Sequence, residues 1–232
     1  MPRPLASSLP ILEDRIVRCR LCPRLVAWRE QVARTRRRAY RDEVYWGRPI
    51  PGFGDPAARI VLVGLAPGAH GSNRTGRMFT GDRSGEFLYA ALHRAGLASA
   101  PASRSRDDGL TLRGAFITSA CRCAPPDNRP TPEELARCAP FLDAELALLL
   151  ELRVLVALGA IGWDAILGHL ERSRRPIPRP RPRFGHGAEW APAGGPAVIG
   201  TYHPSQQNTQ TGRLTPAMID AVMQRAAELA TS

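Results

Sequence analysis

The chain has 232 residues and a formal net charge of +11 at pH 7, from 32 basic and 21 acidic residues. All of the basic residues are arginines, and the absence of lysine excludes a Walker-type phosphate loop and the Schiff base of pyridoxal enzymes. A hydrophobic fraction of 44% and a charged fraction of 23% are typical of a globular protein of one or two domains. An amino-terminal nucleophile at Pro2 stays open beside the simpler interpretation of a disordered tail.

The excess positive charge is concentrated in two segments, the second of which alternates partly with proline. They comprise Arg34, Arg36, Arg37, Arg38 and Arg41, and then Arg172, Arg174, Arg175, Arg179, Arg181 and Arg183. Such patches attract the phosphate backbone of nucleic acids and make binding dependent on salt. A nucleic acid is therefore the favoured partner, and a solvated basic face or an acidic membrane surface are the alternatives.

No targeting or membrane segment is visible. Glu13 and Asp14 interrupt the first apolar stretch, which excludes a secretory signal. The longest uncharged apolar run, 154–163, has ten residues, and a membrane helix needs about 20. The sequence predicts a soluble protein of the cytoplasm.

Short apolar runs alternate with longer segments of helical periodicity along most of the chain. We predict strands at 59–64, 115–120, 152–158 and 197–202, and helices at 84–97, 131–150, 161–170 and 215–230. Thr131, Pro132 and Glu134 form a capping box with proline at the first helical position. The repeated strand–helix order predicts an α/β protein, a three-layer α/β/α fold around a four-stranded, mainly parallel sheet.

Ligands bind at the carboxyl ends of the strands in such sheets. The segments that follow the predicted strands are 64–82, 121–128, 159–162 and 203–213. The basic segment 1–50 and the stretch 172–183 lie outside the strand–helix repeat, and we interpret the stretch as an exposed connection.

The five cysteines are Cys19, Cys22, Cys121, Cys123 and Cys138, and an odd number argues against a disulfide framework. The C-x2-C pair together with Cys123 and Cys138 could supply four thiolates to zinc or to an iron–sulfur cluster. Ordinary buried thiols with a chance C-x2-C pair are the alternative. Cys121 alternates with Cys123 along the strand end, so we expect it to face the other way.

The segment 64–82 is rich in glycine, which lets backbone amides approach a ligand closely. Its one aromatic residue, Phe79, could stack on an unstacked base. Its one carboxylate, Asp82, could orient water or stabilise a developing cation. The alternative for Asp82 is an N-cap of the helix that begins near Ser84.

The segment 203–213 is polar without being acidic. His203 could donate to a developing oxyanion, or it could be a structural histidine. The amides of Gln206, Gln207, Asn208 and Gln210 suit contacts with phosphates and base edges.

Four long motifs occur together in this chain. They are C-R-L-C-P at 19–23, G-L-A-P-G-A-H-G-S-N-R-T-G-R-M-F-T-G-D at 64–82, C-A-P-P-D-N-R-P-T-P-E-E at 123–134 and H-P-S-Q-Q-N-T-Q-T-G-R at 203–213. Together they resemble the family 5 uracil-DNA glycosylases, from Cys19 to the final helix. The resemblance implies the uracil-DNA glycosylase-like fold in a single domain over 1–232, to which the basic segment 1–50 contributes two cysteines.

The resemblance also implies a cofactor and a substrate range. The family's 4Fe–4S cluster would be bound by Cys19, Cys22, Cys123 and Cys138, tying the amino-terminal segment to the domain. Leu65 and Ser119 stand where the related family 4 enzymes have a glutamate and a uracil-reading asparagine. Both residues match the family 5 pattern and imply a less discriminating pocket. We therefore expect removal of uracil and of other deaminated bases such as hypoxanthine.

The residue roles implied by the resemblance are those of a monofunctional glycosylase of base excision repair, which leaves an abasic site. Asp82 would stabilise the sugar cation and orient water, His203 would stabilise the departing base, and Asn128 would assist. The base would contact Gly64, Leu65, Ala66, Gly68, Phe79 and Ser119, and the DNA would contact Arg74, Gln206, Gln207, Asn208 and Arg213. We expect a monomer that acts on double- or single-stranded DNA.

Two other functions stay open. A non-catalytic DNA-binding module with a structural metal explains the charge and the cysteines but not the segment 64–82. An α/β enzyme of free nucleosides or nucleotides explains that segment but not the arginine clusters. Base release from DNA separates the first from a glycosylase, and activity on free deoxyuridine would support the second.

Overall fold

The computed structural model describes residues 6–231, so that Pro2 lies outside the described residues. Within them the helices are α1 (Leu9–Val17), α2 (Pro23–Thr35), α3 (Ser72–Thr75), α4 (Arg83–Arg94), α5 (Pro132–Leu148), α6 (Ala160–Arg172), α7 (Gln206–Gln210) and α8 (Pro216–Thr231). The strands are β1 (Phe53–Gly54), β2 (Ile60–Gly64), β3 (Ala115–Ser119), β4 (Val154–Leu158), β5 (Glu189–Trp190) and β6 (Ala197–Thr201). None of these helices is long and apolar enough to cross a bilayer.

The four predicted strands form the parallel centre of one mixed sheet, in the order β3-β2-β4-β6. The sheet of the described residues has six strands, because β1 and β5 pair antiparallel with β3 and β6 at its two edges. Each edge strand has only two residues. Two residues are too few to show the alternation that identifies a strand, and the prediction of four strands therefore fell short.

The three predicted layers are confirmed. Successive residues of β2 point to opposite faces of the sheet: Leu62 lies in the core with α4 and α8, whereas Val63 lies in the core with α5 and α6. Met223 of α8 and Trp163 of α6 are fully buried on these two faces. The carboxyl ends of the four parallel strands consequently meet at one uncovered edge of the sheet.

The helices α1 and α2 were not predicted, because their apolar residues are few and lie within a basic segment. Leu12 and Ile16 of α1 are one helical turn apart and pack against Phe141 of α5. Arg24 of α2 donates to Glu134 of α5 at 2.7 Å. The predicted capping box of α5 at Thr131 is present, and the carboxylate of Glu134 serves both contacts.

A buried ion pair joins α5 to the segment that follows β3. Arg122 and Glu145 are each 1% exposed, with Nη2 and Oε2 2.7 Å apart. Oε1 of Glu145 also accepts a hydrogen bond from the backbone N–H of Gly52 at 3.1 Å. Removing the carboxylate would leave a buried guanidinium without its counter-charge.

We therefore expect Glu145→Ala to lower the free energy of unfolding by about 3–5 kcal/mol, measured by urea denaturation. The matched control is Glu171→Ala, which breaks the exposed pair with Arg181 and should change stability by about 1 kcal/mol or less. Equal losses in the two variants would contradict a special role for the buried pair.

Candidate active site

The segment 64–82 begins at the carboxyl end of β2 and returns to the start of α4. Phe79 has a φ of +51°, a left-handed conformation that residues with a side chain rarely adopt. Its ring lies on the backbone of Gly64, where an added Cβ would be 2.8 Å from Cζ of Phe79. The absence of a side chain at position 64 therefore allows the ring to lie at the strand end.

Two hydroxyl groups hold the backbone beside Phe79. The hydroxyls of Tyr89 and Thr80 donate to the carbonyl oxygen of Met78 at 3.0 and 3.1 Å. Arg77 is buried and donates to Ser103 Oγ at 2.6 Å and to Asp108 Oδ2 at 2.7 Å. The strained residue is thus fixed by hydrogen bonds on both sides.

Asp82 closes the segment, and it is the N-cap of α4. Its Oδ1 accepts a hydrogen bond from the backbone N–H of Gly85 at 3.0 Å. Its Oδ2 faces the turn at 68–71, where a Cβ added to Gly71 would be 1.9 Å away. Burial raises the pKa of the Asp82 carboxyl, against the opposing effect of backbone hydrogen bonds. The N-cap and a chemical role are compatible, since one oxygen caps the helix and the other faces the turn.

His203 follows β6 and lies beside Phe79, with ring centroids 5.8 Å apart. Burial lowers the pKa of His203 to about 4, so that the ring is neutral at pH 7. The side-chain amide of Asn208 donates to the carbonyl oxygen of His203 at 2.9 Å. No hydrogen bond from another described residue to the ring nitrogens of His203 is present, which leaves them available to a ligand.

The two residues that distinguish this segment from the family 4 pattern lie next to each other at the ends of β2 and β3. The carbonyl oxygen of Leu65 accepts a hydrogen bond from the N–H of Cys121 at 2.9 Å. The hydroxyl of Ser119 is buried and donates to the carbonyl oxygen of Cys121 at 2.8 Å. Ala66 packs beside the cysteine cluster. The backbone of Cys121 therefore connects both strand ends.

Asn128 is placed differently. It is exposed in a turn with a φ of +55°, and none of the hydrogen bonds of the described residues joins it to Asp82 or His203. The structure thus brings Gly64, Phe79 and His203 into contact, with Asp82 at the end of the same segment, but it does not bring Asn128 to them.

The residues expected at the DNA divide into two groups. Gln206, Gln207 and Arg213 are exposed beside His203, and the guanidinium of Arg213 lies 4.7 Å from the ring centroid of Tyr202. Arg74 is buried instead, and it donates to the carbonyl oxygens of His70 at 2.8 Å and Gly81 at 2.7 Å. Its placement supports the segment 64–82 from within, which differs from the expected DNA contact.

Cys19, Cys22, Cys123 and Cys138 line one small cavity between the α1–α2 turn, the end of β3 and α5. Cys121 lines the same cavity, so the expectation that it faces away is wrong. The strand ends at Ser119 and the chain then turns, so the alternation of a strand does not extend to residues 121 and 123. The described residues contain no group of three or more His, Cys, Asp or Glu side chains placed to hold a metal ion.

A buried cation lies against these thiols. Arg29 is 2% exposed, and its Nη1 is 3.5 Å from Sγ of Cys123. Its Nη2 donates to the carbonyl oxygen of Cys19 at 3.3 Å, and its Nε is buried without a partner. Neutral thiols do not balance a buried guanidinium, whereas thiolates bound to a metal cluster would. The donor set and the cation therefore fit an anionic thiolate centre.

Sequence reasoning passed over Arg29 and Arg77. Nothing in a chain with 32 basic residues marks which arginines are buried. The only available signal was position, since Arg77 lies within the motif at 64–82 and Arg29 lies seven residues after Cys22.

Comparison with known proteins agrees with this arrangement. A family model described as the uracil DNA glycosylase superfamily matches residues 51–227. The type-5 uracil-DNA glycosylase of Thermus thermophilus is 58% identical over 214 residues, which cover 91% of this chain and 94% of the relative. The type-5 enzyme of Mycobacterium leprae is 52% identical over 226 residues, which cover 97% of each chain.

A more distant relative is the type-4 uracil-DNA glycosylase of Thermotoga maritima, which is 32% identical over 198 residues, covering 85% of this chain and 81% of the relative. The family model and the extent of these matches lead to one conclusion. The chain belongs to the uracil DNA glycosylase superfamily, and among the relatives named here it is more similar to the type-5 members than to the type-4 member.

Proposed function

We propose that this protein is a monofunctional DNA glycosylase that removes uracil from DNA by hydrolysis and leaves an abasic site. The observation that carries the proposal is the ring of Phe79, held over Gly64 and beside the neutral His203 at the carboxyl ends of the strands. We also propose that it acts as a single domain and a monomer inside the cell, within base excision repair.

The flipped nucleotide enters this edge of the sheet, and its base stacks on Phe79. Backbone amides of residues 64–68 line the base. Cleavage of the bond between C1′ and the base nitrogen leaves negative charge on the base. A neutral imidazole still carries one N–H donor, so His203 can donate it to the departing base without itself being charged.

The sugar becomes a cation as the bond breaks, and Asp82 provides the opposite charge. Its Oδ1 is fixed by the N–H of Gly85, so that Oδ2 remains to stabilise the cation and to orient the attacking water. Asn128 remains a candidate for a supporting role at the water or the base, which requires the exposed turn at 125–129 to approach the bound nucleotide.

We further propose that the pocket accepts other deaminated bases, hypoxanthine among them. Leu65 has no polar side-chain atom, and the hydroxyl of Ser119 is already bonded to the backbone of Cys121. Neither side chain offers a group that pairs only with uracil, and a site without such a group rejects other bases weakly. Gln206, Gln207 and Arg213 are the exposed residues placed to contact the DNA beside the flipped nucleotide, and Asn208 is fixed against His203.

The proposal is tested by base release from duplexes that carry one uracil or one hypoxanthine, with alkali to reveal abasic sites. We expect both bases to be released, without strand cleavage before alkali, because the chain has no lysine to form a Schiff base. Asp82→Asn keeps a cap acceptor for Gly85 but removes the charge. It should slow uracil release by about 10²–10³-fold with DNA affinity unchanged.

The matched control is Asp107→Asn, which removes the same charge at an exposed position and should leave the rate unchanged. An equal loss of DNA binding and of rate in Asp82→Asn would reject the role of Asp82. Absence of release of either base by the unmodified protein would reject the glycosylase.

The pKa of His203 predicts how the reaction depends on pH. Burial depresses this pKa to about 4, below the ordinary value of about 6.5, so the ring stays neutral as the pH falls from 8 to 6. Single-turnover uracil release should therefore stay flat over that range and decline only at lower pH, where His203 and Asp82 both take up protons. His93→Gln, at an exposed histidine of α4, should leave this profile unchanged. A half-maximal rate near pH 6.5 would contradict a neutral His203.

We propose that Cys19, Cys22, Cys123 and Cys138 hold a 4Fe–4S cluster, which when bound supplies iron–thiolate bonds that fasten the amino-terminal segment to the domain. The shared cavity and the buried Arg29 support this assignment. Zinc is the alternative for the same donor set.

Two serine variants separate a ligand from a neighbour in the same cavity. We expect Cys123→Ser to lose iron, and Cys121→Ser to retain about four irons per chain and the visible absorbance of the cluster. Arg29→Met should lower the iron content, because the thiolates lose their buried counter-charge. Iron and zinc are measured by elemental analysis of protein purified without oxygen. Zinc in place of iron, or iron retained in Cys123→Ser, would overturn the assignment.

A further inference from the structure

A second concave surface lies away from the strand ends, between the α1–α2 pair and the segment 46–48. We refer to it as the amino-terminal cleft. Its lining residues include Arg18, Arg20, Arg34, Arg48 and Trp46, and Arg29 lies at its base. Five arginines stand against one glutamate, Glu30, in this lining. The cleft is therefore strongly positive.

The arginines of the amino-terminal cleft differ in their partners. Arg18 pairs with Asp14, and Arg20 pairs with Glu30, in exposed contacts. Arg34 and Arg48 are exposed as well, and no carboxylate of the described residues pairs with either of them. Two cations thus face the solvent in the same concave surface without an anion to neutralise them.

One wall of the amino-terminal cleft also shapes the segment 64–82. The backbone N–H groups of Trp46 and Gly47 donate to the carbonyl oxygens of Arg74 at 2.9 Å and Asn73 at 3.0 Å. The side-chain amide of Asn73 donates to the carbonyl oxygen of Arg29 at 3.2 Å. The cleft therefore lies on the outer side of the segment whose ends carry Gly64 and Asp82.

We propose that the amino-terminal cleft binds the phosphodiester backbone of the substrate DNA, with Arg34 and Arg48 as its two free phosphate contacts. The inference rests on the proposed function for the identity of its ligand. A chain of regularly spaced anions fits a concave surface that carries several guanidiniums, which donate in the fork geometry that phosphate oxygens accept. Such contacts position the DNA without reading its sequence.

The ring of Trp46 gives the amino-terminal cleft a second property. The guanidinium carbons of Arg48 and Arg106 lie 5.7 and 4.7 Å from its centroid. A guanidinium held over an indole loses little freedom when it binds a phosphate. Arg48 is thereby better ordered for binding than a solvated arginine of the segment 34–41.

The test is an Arg34→Ala/Arg48→Ala double variant, whose binding to an undamaged labelled duplex of about 30 base pairs is measured across a salt series. Loss of two phosphate contacts should weaken binding by about 10- to 100-fold at low salt and reduce the slope of log K against log salt by about 1.8. The uracil-release rate at saturating enzyme should stay unchanged. The matched control is Arg59→Ala/Arg113→Ala, which removes two exposed arginines just before β2 and β3, at the opposite edge of the sheet.

Affinity and salt slope equal to those of the control double variant would overturn the proposal. Loss of dATP binding in the Arg34→Ala/Arg48→Ala variant, with DNA binding retained, would also overturn it, in favour of a free-nucleotide site. Binding to undamaged DNA is independent of catalysis. Absence of uracil release by the unmodified protein would thus reject the proposed function, while the salt series would still decide the cleft.

Discussion

The contact between the ring of Phe79 and the backbone of Gly64 is the constraint on which the strand-end site depends. It requires a position without a side chain at the end of β2 and a left-handed backbone at Phe79, which is unfavourable for a residue with a Cβ. The hydroxyls bonded to Met78 and the buried Arg77 maintain that conformation. Three residues later the chain starts α4, so the position of Asp82 follows from that of Phe79. The ring and the carboxylate are therefore placed by one fixed segment.

Buried arginines perform much of the structural work around this edge of the sheet. Arg74 and Arg77 support the segment 64–82, Arg122 pairs with Glu145 beneath the cysteines, and Arg29 lies against Cys123. Each donates several hydrogen bonds from one planar group, which a lysine would not do. The positive charge of the chain consequently has two separate uses, one inside the fold and one on the surface that faces DNA.

The sequence predicted those features that depend on local patterns. The four parallel strands are continuous apolar runs, and Thr131 begins α5 with the expected capping box. The edge strands have two residues each, and α1 and α2 depend on packing against Phe141, so none of these gave a local signal. Likewise, the turn after Ser119 brings Cys121 into the cavity, and a pattern of alternation does not contain that turn. The motifs identified the residues of the site, but only the fold shows that Arg74 is buried and that Asn128 stands apart.

The backbone of Cys121 connects two parts of the molecule that the motifs present as separate. Leu65 and Ser119, at the pocket for the base, both bond to Cys121, whose side chain lines the cavity of the other cysteines. With the proposed cluster in place, the thiolates hold this backbone firmly and so complete the floor of the pocket. Maturation then has an order: a newly made chain acquires its finished pocket only after iron and sulfide have been inserted. The supply of iron to the cell thereby limits how much competent repair enzyme is formed from a given amount of polypeptide.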